Sequence, residues 1–173
     1  MKKLILLGML TALLTPLSFA VEAVSAVHGT ISKIDSGAKT IVVKTADGTE
    51  HTVRFVAKTT FHGTETGAKD AFHGLKEGSE VVAHYTSKGA ENTAVEVDKV
   101  GKDGMKAVDG TFSEVKSGSK ELVVKTADGT EQVFHMADHA AVETGKGAEK
   151  SAKVTVYYTE DAGKKVAHFF EKH

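Results

Sequence analysis

A nine-residue segment occurs twice in this chain, and the repeat limits the possible folds more than any other feature of the sequence. Residues 42–50 (VVKTADGTE) recur unchanged at 123–131, an offset of 81. Further along, residues 81–86 match 154–159 at an offset of 73, so the second copy has lost eight residues. Self-similarity at a fixed offset indicates a repeated structural unit. The predicted organisation is a signal peptide at 1–20, repeat 1 at 27–100, a linker at 101–106 and repeat 2 at 107–173.

Each repeat reads as five short β-strands joined by tight turns. Apolar residues alternate with polar ones in these segments, as expected for half-buried strands. Asp-Gly in both copies of the nine-residue segment predicts a tight hairpin, because that dipeptide tolerates the positive φ angles of a two-residue turn. In the first strand Ile31 and Ile34 are three residues apart, which predicts a bulge or sharp bend if both are to face the core.

The strand phases predict which side chains face each core. In the fourth strand of repeat 1, Tyr85 is in phase with the inward Val81, and Tyr158 holds the same place in repeat 2. Tyr157 is out of phase and is predicted to be exposed. Phe169 and Phe170 are adjacent in the fifth strand of repeat 2, so one should face outward, and the sequence leaves open which one. Residues 67–75 of repeat 1 could form a short helix.

The order of these elements, with a bent first strand, is that of an OB-type small barrel. The pattern Gly-Thr-Ile-x-x-Ile, a Ser-Gly turn, Ile-Val-Val-Lys-Thr, Asp-Gly and Leu-x-x-Gly-x-x-Val resembles secreted bacterial domain-of-unknown-function repeats with an OB-like barrel. The resemblance covers nearly the whole chain after residue 26. It implies an all-β fold of two tandem five-stranded OB-like barrels, and its motifs are turns and core positions that imply no activity.

The N-terminus has the pattern of an export signal. Lys2 and Lys3 precede an apolar run, and small residues at positions 18 and 20 fit a cleavage site after Ala20, with a second possible site after Ala26. We therefore expect a periplasmic or secreted protein without a later membrane span. Cysteine is absent, which excludes disulfides and thiol chemistry. Removing the signal leaves 20 basic and 23 acidic residues, a net charge of −3 that does not favour nucleic acid.

Nine histidines are the strongest hint of chemistry, since imidazole is the commonest metal ligand. No aligned histidine recurs between the repeats, so any metal site is asymmetric, and His135, Asp138 and His139 at a strand end are the best candidates. The alternatives are solvated surface histidines, or a pH response, because protonating all nine changes the charge from −3 to +6.

No catalytic site is expected. Ser36 and Lys39, with Ser117 and Lys120, match the Ser-x-x-Lys of penicillin-binding enzymes, but both tetrads fall in predicted turns and the partner motifs of those enzymes are missing. No cofactor motif is present either. The sequence thus predicts an exported, non-enzymatic binding or structural module of the cell envelope, whose partner would be an envelope protein or glycan. The alternative is periplasmic binding of Zn, Cu or Ni through histidines.

Overall fold

The protein is all-β in a computed structural model, which describes residues 24–64, 72–102, 104–116, 120–142 and 150–173 but not the side chains of 138–142. The described residues contain eleven strands and no helix. The strands are β1 (Val24–Asp35), β2 (Thr40–Lys44), β3 (Glu50–Arg54), β4 (Thr60–His62), β5 (Glu80–Lys88), β6 (Glu91–Lys99), β7 (Lys106–Lys116), β8 (Glu121–Lys125), β9 (Glu131–Val142), β10 (Lys153–Asp161) and β11 (Lys164–Lys172). None of the described segments forms a helix that could cross a membrane.

The strands form two OB-like barrels, one in each repeat. The first has the strand order β3-β2-β1-β5-β6-β4, and a parallel pairing of Arg54 with Thr93 joins β3 to β6. The second is closed in the order β10-β11-β9-β8-β7. Its long strand β9 pairs antiparallel with β8 and parallel with β11. In the first barrel two separate strands make the corresponding pairings: β3 pairs with β2, and β4 runs parallel to β6. The predicted all-β, tandem OB-like fold is confirmed.

The predicted bend in the first strand of each repeat is a β-bulge. The register of β1 against β2 shifts between Ile31 and Lys33, and that of β7 against β8 shifts between Phe112 and Glu114. A bulge adds one residue to one strand and increases the local twist. The preceding glycine is fixed by packing, since a Cβ on Gly29 would lie 2.3 Å from the carbonyl oxygen of the opposite strand. The bend that allows the first strand to curve around a small barrel is therefore determined by residues within that strand and its hairpin partner.

The Asp-Gly turn differs from the predicted two-residue hairpin. Strand β2 ends at Lys44 and β3 begins at Glu50, so the connection is longer, and within it only Gly48 has a positive φ, of 88°. Asp47 instead accepts hydrogen bonds from the hydroxyl of Thr45 and from the amide of Thr49, the latter at 3.0 Å. Asp128 makes the same contacts in the second copy. The aspartate thus contributes to the turn in both repeats through the hydrogen bonds of its carboxylate, and not through a positive φ angle.

Each barrel has its own apolar core, made by the predicted inward residues. Ile41, Val43, Val53 and Val81 are fully buried in the first, and Leu122, Val124, Phe134 and Val156 in the second. The predicted core positions of Tyr85 and Tyr158 are confirmed. The possible helix at 67–75 falls mostly outside the described residues, and Phe72–Gly74 form a turn from which Phe72 and Leu75 reach the first core.

A third apolar cluster lies between the barrels. It consists of Ala26, Val82, Met105, Tyr157 and Phe169, with Val100 at its edge. The prediction that Tyr157 is exposed is wrong, because the first barrel covers the outer face of β10 on which it lies. Both adjacent phenylalanines are buried: Phe170 points into its own barrel, and Phe169 points outward into this cluster.

The connection between the barrels is short and bonded to the first one. The amide of Met105 donates to the carbonyl of Lys99 at 2.7 Å, and the amide of Gly101 donates to the carbonyl of Met105 at 2.9 Å. Met105 itself is buried in the cluster between the barrels. The described part of the connection therefore contributes to the contact between the barrels as well as joining them.

Candidate functional site

Three polar side chains of the first barrel converge where β4 and β6 run side by side. Thr60, Phe61 and His62 of β4 pair with Glu96, Val97 and Asp98 of β6 in parallel register. Val97 faces the core, so strand alternation turns Glu96 and Asp98 to the outer face, beside His62. The Nδ1 atom of His62 lies 2.8 Å from Glu96 Oε1 and 2.8 Å from Asp98 Oδ1. One imidazole nitrogen and two carboxylate oxygens thus share a small volume. Since these three groups could hold a metal ion, we call them the metal cluster.

Two further histidines flank the metal cluster. His84 of β5 is directly opposite Glu96 in the register of β5 and β6, and its Nε2 atom lies 3.7 Å from Asp98 Oδ2. His168 belongs to β11 of the second barrel, and its Nδ1 atom lies 3.5 Å from Glu96 Oε1. The surroundings of the two carboxylates are therefore built from both repeats.

The carboxylates are buried while His62 remains half exposed. Glu96 and Asp98 have side-chain exposures of 8% and 0%, against 51% for His62. Within the described residues Asp98 Oδ2 makes no hydrogen bond, although a buried carboxylate oxygen normally has a partner. The cluster can therefore be reached from solvent on the side of His62, while its two carboxylates are buried.

The electrostatics of the metal cluster follow from this burial. The hydrogen bond to Asp98 raises the pKa of His62 to about 9, so the ring carries a proton at neutral pH. Burial also raises the pKa of Asp98, against the hydrogen bond from His62. For Glu96 burial acts in the same direction, but the hydrogen bond from His168 and the charges of the neighbouring histidines outweigh it and lower its pKa to about 2. A proton on His62 therefore occupies the place that a cation could take.

A second polar group, the tyrosine cluster, lies on the same contact between the barrels. The hydroxyl of Tyr157 donates to Glu171 Oε2 at 3.2 Å and is 3.1 Å from Nδ1 of His28. His28 is also 2.9 Å from Glu80 Oε1 and 3.2 Å from Glu171 Oε2. Burial, followed by the charge of Glu171, raises the pKa of the Tyr157 hydroxyl, which stays protonated. This group connects β1 of the first barrel to β10 and β11 of the second.

The metal site expected at His135, Asp138 and His139 stays a prediction. His135 lies on β9 with its Nδ1 atom 4.0 Å from Glu121 Oε1, and its side chain is 42% exposed. The side chains of Asp138 and His139 lie outside the described residues, so the structure does not test whether the three converge. The predicted turn of Ser36 and Lys39 is confirmed as an exposed turn after β1, whereas Ser117 lies outside the described residues.

The metal cluster and the two histidines that flank it were missed from sequence, because together they come from four strands of two repeats. One signal was present: His84 and Glu96 each lie between apolar neighbours in their strands, and Asp98 follows Val97. Burying a charged side chain costs free energy unless it is paired. Three polar residues at such positions of two adjacent strands indicate a covered polar site.

Comparison with known proteins identifies no family for this chain. No family model and no curated protein sequence matches the chain. Among solved structures, the chain is similar to Ag(I)-bound CusF, at 9% identity over 40% of this chain and 97% of that one, with a TM-score of 0.35. A Cu(II)-bound variant of Escherichia coli CusF matches at 15% identity over 45% of this chain and 92% of that one, with a TM-score of 0.34. The Drosophila Unr segment CSD456 matches at 14% identity over 87% and 61%, with a TM-score of 0.37. Because all three TM-scores lie below 0.5, the function has to be inferred from this chain's own residues.

Proposed function

We propose that this chain is an exported, non-enzymatic protein that binds a divalent transition metal ion at His62, Glu96 and Asp98. The observation that carries the proposal is the convergence of their ligand atoms, which all lie within 4.8 Å of one another. Metal ligands at about 2.0–2.2 Å from a common ion are roughly 3–3.5 Å apart in tetrahedral geometry. The 2.8 Å separations therefore need only a small expansion to admit an ion.

The donor set selects the class of metal. Imidazole nitrogen with carboxylate oxygen suits zinc, copper and nickel, whereas Ca²⁺ and Mg²⁺ prefer sites made of oxygen alone. The buried Asp98 Oδ2, which makes no hydrogen bond in the described part of the chain, would be stabilised by a nearby positive charge. Because His62 is protonated at neutral pH, binding should release its proton and weaken as the pH falls.

Export is supported by the N-terminal pattern, and the fold favours one of the two cleavage positions. Cleavage after Ala26 would cut within β1 and remove Val24–Ala26, which pair with β5. Ala26 is also buried between the barrels. We therefore place the mature N-terminus after Ala20, where β1 remains complete. The Ser36 and Lys39 pair lies in an exposed turn after β1.

The test is metal-dependent thermal stability of the mature chain. A ligand that binds only the folded state stabilises it by about 2.7 kcal/mol at a hundredfold excess over its dissociation constant. For a chain of this length that is a rise in Tm of roughly 5–10 °C. We expect the rise with Zn²⁺, Cu²⁺ or Ni²⁺ at hundred-micromolar concentrations, and none with Mg²⁺ at the same concentration.

Two matched variants locate the site. His62→Gln should remove the rise in Tm, because the amide cannot replace the imidazole ligand. His135→Gln changes a histidine of similar exposure on the other barrel and should leave the rise intact. If His135→Gln removes the rise and His62→Gln does not, the metal is bound at the site predicted from sequence. If none of the three metals raises the Tm of the unmodified chain, the metal-binding proposal is wrong.

A further inference from the structure

We infer that His168 supplies a fourth ligand from the second barrel, so that the bound metal ion joins the two repeats. This inference rests on the proposed function and specifies the ligand set of the same site. His62 and His168 approach the same carboxylate oxygen: their Nδ1 atoms lie 2.8 Å and 3.5 Å from Glu96 Oε1. The two rings are 6.1 Å apart between centroids, tilted by 51°. Glu96 is thus the carboxylate around which both imidazoles are arranged.

The second ring nitrogen of His168 has a hydrogen-bond partner of the kind that metal-bound histidines usually have. Its Nε2 atom lies 2.9 Å from the hydroxyl oxygen of Thr159 on the neighbouring strand β10. Histidine ligands almost always donate their second ring N–H to such a partner, which fixes the ring and the tautomer. With a metal ion bound, the proton that Nδ1 shares with Glu96 would leave, and a proton kept on Nε2 for Thr159 would free the Nδ1 lone pair to coordinate. The side chain of His168 is only 12% exposed, so little water competes for it.

Packing holds the backbone of His168 beside the first barrel. The next residue, Phe169, is fully buried in the apolar cluster between the barrels and stacks obliquely on Tyr157 at 5.7 Å. The position of His168 relative to Glu96 therefore depends on the contact between the repeats. A metal bound by three groups of the first barrel and one of the second would stabilise that contact, and loss of the contact would weaken the metal site.

Zinc titration by calorimetry on the mature chain tests the inference, with His168→Gln compared with His62→Gln and His135→Gln. We expect His168→Gln to weaken Zn²⁺ binding by roughly 100-fold or more, since even removal of an outer partner of a ligand costs 10–100-fold. Thr159→Val should cost less, about 10-fold, because it removes only the partner of the ring. His135→Gln should bind as the unmodified chain does.

Hydrogen exchange supplies a second readout that does not depend on a variant folding. In the unmodified chain Zn²⁺ should slow exchange in β10 and β11 as well as in β4 and β6, and nitrogen NMR of the histidine rings should show coordination at Nδ1 of His168. If Zn²⁺ binds the unmodified chain but His168→Gln binds within threefold of it, or the His168 ring signals do not move, the ligand set is confined to the first barrel. If the unmodified chain binds no metal, the proposed function itself fails.

Discussion

Replacing Phe169 with alanine should separate the stability of the contact between the repeats from that of the barrels. Phe169 is fully buried, and it is the largest apolar side chain in the cluster between the barrels. Truncating a buried phenylalanine to alanine costs about 3–5 kcal/mol, the sum of lost transfer free energy and the cavity left behind. Because the side chain points out of its own barrel, most of that cost should fall on the contact. It is a large share of a total stability of about 5–15 kcal/mol.

The assay is native-state hydrogen exchange of the metal-free mature chain, read separately for the two repeats. Docking stabilises both barrels, so the slowest amides of the first repeat should lose up to the same 3–5 kcal/mol, although that repeat carries no substitution. Val133→Ala is the matched control, because Val133 lies on the second barrel with 44% exposure and its loss should be nearly neutral. Urea unfolding of Phe169→Ala should also change from one transition into two.

One outcome would refute this reasoning. If Phe169→Ala lowers the exchange free energies of the second repeat alone, and those of the first repeat stay within about 0.5 kcal/mol, Phe169 stabilises only its own barrel. The apolar cluster would then be an incidental contact between two independent domains. The inference about His168 would lose its support from packing as well, because Phe169 is the residue next to His168 and lies in the apolar cluster between the barrels.

Two further substitutions test polar contacts. Asp47→Asn should lower the Tm at neutral pH, because hydrogen bonds from the threonines on either side hold the pKa of this carboxylate at about 2, below its usual 3.8. That stabilisation is present above pH 3.8 and is lost as the pH falls through 2, so the Tm difference between variant and unmodified chain should shrink between pH 4 and pH 2, and an equal difference at pH 2 and pH 7 would contradict it. Tyr157→Phe removes the hydroxyl that bonds to Glu171 and His28, and should cost about 1–3 kcal/mol in urea unfolding, since it leaves a partly buried carboxylate with one donor fewer; a cost below 0.5 kcal/mol would mean that the tyrosine cluster contributes no net stability.

The fold was predictable because the sequence contains the same strand and turn patterns twice, so each assignment could be checked against the second copy. Alternation around Val81 and Val154 fixed which side chains face each core, and the three-residue spacing of Ile31 and Ile34 required a bulge. These features depend on neighbours within one strand or one hairpin, where periodicity is informative. The form of the Asp47 turn was not predictable, because Asp-Gly serves in longer connections as well as in two-residue turns.

The candidate site could be predicted only in its chemical class. Histidine content indicated metal, but the close spacing of His135, Asp138 and His139 at a strand end favoured a different site. Comparing the repeats gave no sign that His62 and His168 come together. Their proximity results from one barrel covering the outer face of the other, and strand alternation cannot distinguish a covered outer face from an exposed one. Tyr157 was misplaced for the same reason. Phe169 was the available clue, since a large apolar outward residue often marks a contact surface.

The two repeats use corresponding faces to contact each other. At the offset of 73, His84 of the first repeat corresponds to Tyr157 of the second, and Glu96 corresponds to Phe169; all four are buried in or beside the contact. An association through the same patch on both partners is self-complementary and closes on itself as a pair. A third copy of the unit could not join by this contact, because both faces are already occupied. The two corresponding faces differ in chemistry: the second repeat contributes an apolar half with Tyr157 and Phe169, and the first a polar half with His84 and Glu96.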